Sequence, residues 1–363
     1  MQATVRKLFL AATIFAAVLI TIAAVYRPLI PSGIGADFRV FWTAARVPAR
    51  DVYNVDALTA VQNLPVDEAK PRPFISPPSL IPALAPFGAL EFWPAFALWT
   101  SLAIAAQFLA ARRILDPPAL LLLALAPATH FTLGPGQVTL FVGAAVLAAM
   151  AVLPRRPVMA GVLLAAAALI KPQAVMLVPV ALAAAGNWRA LASSAITGAA
   201  AGLACLAIQG PQLWRDWLSA LAGFPDLLQR LGYLERSLSP YATALDFGLS
   251  GPAVAAVVAA GIVLGVITCW RVFRATEDPA LRAGALGCAY LLCTPYAMVY
   301  EAAMIVPAAA YLLASREASP IVRAGAWLAI CLPFVAVALP WFAAALMMSA
   351  GARPVQTPVE AGA

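Results

Sequence analysis

Asp37 stands in the segment Gly35-Ala36-Asp37-Phe38-Arg39-Val40-Phe41-Trp42, shortly past an apolar run that ends at Tyr26. A carboxylate at the mouth of a membrane-embedded chain is costly unless it pairs or reacts. It can cap a helix or pair with Arg39. It can also serve as a general base for an acceptor hydroxyl, because partial burial makes a carboxylate a better proton acceptor. Lys171 is the second candidate. The other two lysines, Lys7 and Lys70, lie in the N-terminal tail and in a loop, whereas Lys171 sits between Leu169-Ile170 and Pro172-Gln173-Ala174-Val175. It reads as a lysine snorkelling from a helix end, or as a point charge for a lipid-linked phosphate where Pro172 opens the helix and frees backbone donors.

Gly134-Pro135-Gly136-Gln137 has turn composition, and the Gln137 amide could bind sugar hydroxyls. His130, one helical turn earlier, reads as a structural histidine. Tyr296-Ala297-Met298-Val299-Tyr300-Glu301 places a glutamate inside an apolar run. A buried glutamate needs a partner, and Lys171 is the natural one, either as a structural ion pair or as an organiser of a donor site. Other chemistries are poorly supported. A single histidine without evident serine and aspartate partners speaks against a Ser-His-Asp triad and an ordinary zinc site. Cys205, Cys269, Cys288, Cys293 and Cys331 lie in apolar segments without a C-x-x-C and read as small core residues.

The elements that must carry these residues are membrane helices. The chain has 363 residues, 63% hydrophobic and 11% charged, against about 25% charged in a soluble domain. The formal charge of +7 is scattered singly and in pairs between apolar runs, a pattern that sets topology and does not suit a nucleic-acid face. Residues 8–26 have spanning length and follow Arg6-Lys7; a signal peptide is the alternative, but many further spans follow. Apolar runs recur near 92–112, 118–132, 137–153, 158–170, 172–186, 190–209, 252–272, 283–294, 296–314 and 323–347. The run 77–90, broken by Pro78, Pro82 and Pro86, is expected to dip or half-cross.

Arginines at the run ends set the sides. Between Arg113 and Arg155, Arg156 and Arg189, and Arg282 and Arg316, two short runs meet at a polar tip. Each pair therefore reads as a hairpin whose tip (Gly136-Gln137, Lys171-Pro172-Gln173, Thr294-Pro295-Tyr296) reaches the side that holds Asp37. The reading is an all-α polytopic membrane protein, one domain over 1–350 with a flexible tail at 351–363. A first outer loop spans 27–76, with interfacial helices in 37–64 and Asn54 as an N-cap. A second outer loop spans 210–250, with Trp214, Trp217, Phe224 and Tyr233 as an aromatic layer at headgroup depth.

Taken in order, these motifs resemble glycosyltransferase family 87. Asp37-Phe38-Arg39-Val40-Phe41-Trp42 with Asp51-Val52-Tyr53-Asn54 is similar to the family's opening, and Ser76-Pro77-Pro78 to its aromatic-Pro-Pro element. Gly136-Gln137-Val138-Thr139-Leu140, Lys171-Pro172-Gln173 and Thr294-Pro295-Tyr296 with Tyr300-Glu301 follow in the family's sequence. The resemblance implies a GT-C fold of about 11–12 transmembrane helices. It also implies an inverting, metal-independent, cofactor-free transfer of mannose or a related pentose or hexose. The donor would be a polyprenyl-monophosphate sugar, the acceptor a glycolipid or glycan hydroxyl, and the place the outer (periplasmic) face of the inner or plasma membrane. Asp37 would be the general base; Lys171, Arg39, Gln173, Tyr296 and Glu301 would serve the donor and its phosphate; Gln137, Trp42 and Tyr53 would meet the acceptor. Arg72 is a further outer-loop cation for the leaving phosphate. The chain departs from the family in having Tyr300-Glu301 where Tyr-Asp is frequent, and in lacking a histidine found there in some mannosyltransferases. A transporter or flippase of lipid-linked sugar and a non-catalytic membrane scaffold are the competing readings.

Overall fold

The computed structural model describes residues 33–62, 72–230, 237–315 and 318–331, with Val18, Ala344, Ala345, Met347 and Met348. The expected span at 8–26 (Val18 apart), Lys7, Lys70, Tyr233, the end of the 323–347 run and the 351–363 tail lie outside the described residues. Among these residues the chain is helical, with α1 (Phe38–Ala44), α2 (Val55–Gln62), α3 (Ile81–Gly88) and α4 (Phe92–Ala111) first. Then come α5 (Pro117–Leu125), α6 (Pro127–Leu133), α7 (Thr139–Val152), α8 (Pro157–Ile170), α9 (Val178–Ala184) and α10 (Trp188–Gln209). The series ends with α11 (Pro211–Arg230), α12 (Pro240–Asp246), α13 (Pro252–Ala275), α14 (Pro279–Cys293), α15 (Val306–Ala314) and α16 (Pro320–Cys331).

Local sequence explains many of the boundaries. A capping side chain followed by proline starts three helices: Asp116 accepts from the Ala119 N–H, Ser239 from Ala242 and Asp278 from Leu281. Proline at the first helical position has no N–H to leave unpaired, and the acid or hydroxyl before it satisfies another of the free donors. Asn54 caps α2, its Oδ1 accepting from the Asp56 and Ala57 N–H groups at 3.0 and 3.1 Å. The eight residues of α3 rise about 12 Å, too short to cross a membrane.

Among the described residues three helices, α4, α10 and α13, are long and apolar enough to span a bilayer. Most of the others are broken, and neighbouring hydroxyls take up the carbonyls released at the breaks. The 118–132 run divides at Ala126-Pro127, where Thr129 Oγ1 donates to the Leu123 carbonyl and His130 Nε2 bonds that of Ala124. At the end of α8, Ser79 Oγ donates to the Leu169 carbonyl at 2.6 Å. Past α14, Ser239 Oγ donates to Pro295 O and Ser237 Oγ to Ala297 O.

The tips fall at one end of the bundle. Helices α8 and α10 run parallel: Gly161 abuts Ala190 and Ser193 near their starts, while Leu169 and Gln209, near their ends, bond Ser79 and the Pro78 carbonyl. The short α9 must therefore lead back between them. Helices α13 and α14 are antiparallel, with Gly261 against Leu292 and Gly265 against Ala289. Helix α15 returns along α14, Gly284 facing Ala308 and Gly287 facing Met304. Glycine is needed at these crossings because an added Cβ would collide with the facing backbone or side chain. Arg156, Arg189 and Arg282 thus share the far end, and the tips share the near end. The segment 210–250 differs from the expected loop. Leu213, Trp217, Leu221, Phe224 and Leu228 recur at helical spacing and form one face of α11, and Leu221, Phe224 and Leu228 pack with Ile75 and Tyr296.

Candidate active site

Asp37 precedes α1, and the backbone holds it in place. The Gly35 N–H donates to Gly134 O at 2.8 Å, and the Asp37 and Phe38 N–H groups both donate to Pro135 O at 2.9 and 2.8 Å. Two glycine turns make that approach possible. Gly136 has φ +81, and a Cβ there would stand 2.6 Å from Phe38 Cβ; Gly35 has φ +71 and faces Phe92. The fully buried Phe38 ring then anchors the turn among Phe87, Phe92, Phe96 and Trp99, with centroids 5.3–6.2 Å away.

The Asp37 side chain does not cap α1, and it does not pair with Arg39. Arg72 Nη1 donates to Oδ1 at 2.9 Å and Gln137 Nε2 to Oδ2 at 2.7 Å. Each carboxylate oxygen thus carries one donor and keeps further lone-pair capacity. Arg39 turns away, with Nη1 donating to Gln62 O at 3.2 Å and its guanidinium over the Phe92 ring at 4.1 Å. Burial, and then the positive charge of Arg72, lower the pKa of Arg39.

A second ion pair lies deeper. Lys171 bonds Glu301 Oε1, the two side chains being 12% and 2% exposed, and Thr139 Oγ1 donates to Oε2 at 2.8 Å. Gln137 and Thr139, two residues apart at the start of α7, therefore hold the two carboxylates of the site. Thr132 Oγ1 donates to the Tyr300 carbonyl at 2.8 Å, one residue before Glu301, so the α6–α7 turn holds both pairs in one site. The buried Tyr296 ring meets Phe224 of α11 edge-on at 4.6 Å, and its hydroxyl has no partner among the described residues.

The other expected site residues are committed elsewhere or carry no bond. Tyr53 donates from its hydroxyl to Ser76 O at 2.8 Å, and burial followed by the charge of Asp216 raises its pKa. Trp42 donates to Leu90 O at 2.9 Å and is covered by Arg46. Gln173, in the short helix Pro172–Val175, makes no side-chain hydrogen bond among the described residues. Sequence reading gave no role to Thr132 or Thr139. A hydroxyl beside a polar tip was the only signal, and such residues are common in apolar helices. Among the described residues no three His, Cys, Asp or Glu side chains form a metal-type cluster.

Arg72 and Lys171 pair with Asp37 and Glu301, and Arg39, close enough to Arg72 to feel its charge, adds a third cation beside the Asp37 pair. Arg39 makes no ion pair among the described residues and supplies the surplus. The family model described as glycosyltransferase family 87 matches residues 74–295, more than half of the chain. Gln137, Thr139 and Lys171 fall inside the match; Asp37, Arg72 and Glu301 fall outside it. No curated protein and no solved structure matches the chain.

Proposed function

The chain belongs to glycosyltransferase family 87, and from that premise we propose that it moves a sugar from a polyprenyl-monophosphate donor to a glycolipid or glycan hydroxyl. The sugar is mannose or a related pentose or hexose, and transfer takes place at the outer face of the inner or plasma membrane, with inversion and without a metal. The observation that carries this reading is the Asp37 carboxylate, positioned on both oxygens at the polar end of an apolar bundle and set beside a surplus of cations. Membership of a glycosyltransferase family stands against the transporter and scaffold readings.

In the proposed reaction Asp37 accepts the proton of the acceptor hydroxyl as its oxygen attacks the anomeric carbon. The bond from that carbon to the phosphate oxygen breaks, and the electron pair leaves with the phosphate. Arg72, with Arg39 beside it, stabilises the charge that collects there, and the Tyr296 hydroxyl, buried and without a partner among the described residues, is a further donor for a phosphate oxygen. Gln137 takes a different role from the sugar contact expected of it. Its amide nitrogen orients Asp37, which leaves its carbonyl oxygen to accept from a second hydroxyl of the bound sugar, not from the one Asp37 deprotonates. Lys171 is neutralised by Glu301, so it shapes the donor site and adds little net charge.

The test is transfer from polyprenyl-phosphate sugars to a glycolipid acceptor by the purified full-length protein, run with mannosyl and pentosyl donors. Asp37→Asn is expected to lower turnover by about 10²- to 10⁴-fold while the protein stays folded, its melting temperature falling as Arg72 loses its charged partner. Full activity in the variant refutes Asp37 as the base.

A further inference from the structure

The far end of the bundle has a feature that transfer at the tips does not use. The last turns of α13 carry Trp270, Arg271 and Arg274, all exposed. Two concavities meet there, sharing Arg274 and Ala275. One is closed by Ala184, Thr276 and Arg282, and the other by Trp270, Arg271 and Met348. Arg282 is committed within the fold, donating to Thr276 O at 2.7 Å and Phe273 O at 3.0 Å. Arg271 and Arg274 make no ion pair among the described residues. Asp278 is occupied as the α14 cap, and among the described residues Glu277 is the other carboxylate lining this corner. Arg274 lies over Trp270 at 5.8 Å.

Above them runs an apolar stripe. Val263, Ile267, Trp270 and Arg274 recur at four, three and four residues, which places them along one face of α13. Val263 and Ile267 are 56% and 41% exposed. The stripe from Val263 to Arg274 rises about 16 Å, comparable to an extended acyl chain, with tryptophan and then arginine where an interface and a headgroup follow a tail. Paired arginines in a concavity between helix ends match a phosphodiester in charge and in hydrogen-bonding geometry.

We propose that the end of α13 binds one anionic phospholipid, its phosphate between Arg271 and Arg274 and one acyl chain along Val263 and Ile267. This site is separate from the proposed donor site and does not depend on the reading of Asp37. Arg112 and Arg113 provide the comparison: they also end an exposed apolar helix, α4, but without a tryptophan in its last turn.

Native mass spectrometry of the full-length protein in detergent tests the proposal, with phosphatidylglycerol and phosphatidylcholine of identical chains as probes. Phosphatidylglycerol should be retained in preference. R271Q/R274Q should weaken its retention about thirtyfold, the effect of losing two arginine contacts to an anionic headgroup, while R112Q/R113Q should leave it unchanged. A melting temperature in phosphatidylcholine equal to that of the parent shows that R271Q/R274Q is folded. If that variant fails to fold, Ile267→Ser, which shortens only the tail contact, takes its place and should weaken retention as well. Equal retention of the two lipids, or equal loss in the Arg112/Arg113 variant, overturns the proposal. Stabilisation by inorganic phosphate as large as that by phosphatidylglycerol also overturns it, because the site would then be one for free anions.

Discussion

Replacing Lys171 by methionine removes the cation from a pair whose side chains are 12% and 2% exposed. Glu301 would keep only neutral donors, the Thr139 hydroxyl at 2.8 Å and the neighbouring Tyr290 hydroxyl, and would lose its charged partner. Breaking a buried ion pair from one side costs ~3–5 kcal/mol, because the remaining charge stays desolvated. The partial exposure of Lys171 places Lys171→Met near the lower end, about 3 kcal/mol. Replacing both residues by methionine removes both desolvation penalties and leaves only neutral hydroxyls, those of Thr139 and Tyr290, short of a partner. That double variant should lose no more than about 1–2 kcal/mol. Unfolding in mixed micelles, titrated with a denaturing detergent and followed by tryptophan fluorescence, gives the free energies for a double-mutant cycle. A Lys171→Met cost below about 1 kcal/mol, or a double variant as unstable as the sum of the singles, refutes the view that the two charges are held in place by each other.

Gln137→Leu deletes a 2.7 Å hydrogen bond to a carboxylate. Hydrogen bonds to charged groups contribute about 1.5–3 kcal/mol, so kcat should fall about 10- to 100-fold with the donor KM unchanged; an unaltered kcat in steady-state assays would remove Gln137 from the positioning role. Gly136→Ala should destabilise by about 2 kcal/mol or more, since φ is +81 and the new Cβ would meet Phe38 Cβ at 2.6 Å. Its melting temperature and its turnover should fall together, because the same turn holds Asp37. Asn54→Ala removes the acceptor for two α2 N–H groups and should cost about 1 kcal/mol, read as a lower melting temperature with transfer unaffected.

Much of the architecture was legible because its physics is local. Asn54 read as an N-cap, and it caps α2, its Oδ1 accepting from two N–H groups. The meeting of Lys171 with Glu301 was also readable, since two lone charges in apolar segments have few ways to be satisfied. Other readings changed in the folded chain. Segment 210–250 read as a loop because charges interrupt it, yet its apolar residues keep a helical period and form the docked face of α11. Of the readings of Asp37, the two structural alternatives to a general base, a helix cap or a pair with Arg39, do not form. Residues two apart on a helix do not face each other, so Arg39 points to Gln62 and Phe92.

The sequence alone determined that this is a helical membrane chain with polar tips, sided by its arginines, because length, hydropathy and capping act over a few residues. Which polar groups meet was decided by the tertiary structure. Arg72 and Gln137 reach Asp37 from 35 and 100 residues away, and Thr139 reaches Glu301 across 162. No local period encodes such distances. They follow from glycine-lined helix contacts and from the Gly134–Gln137 turn docking beneath Asp37, which only the packed bundle brings about.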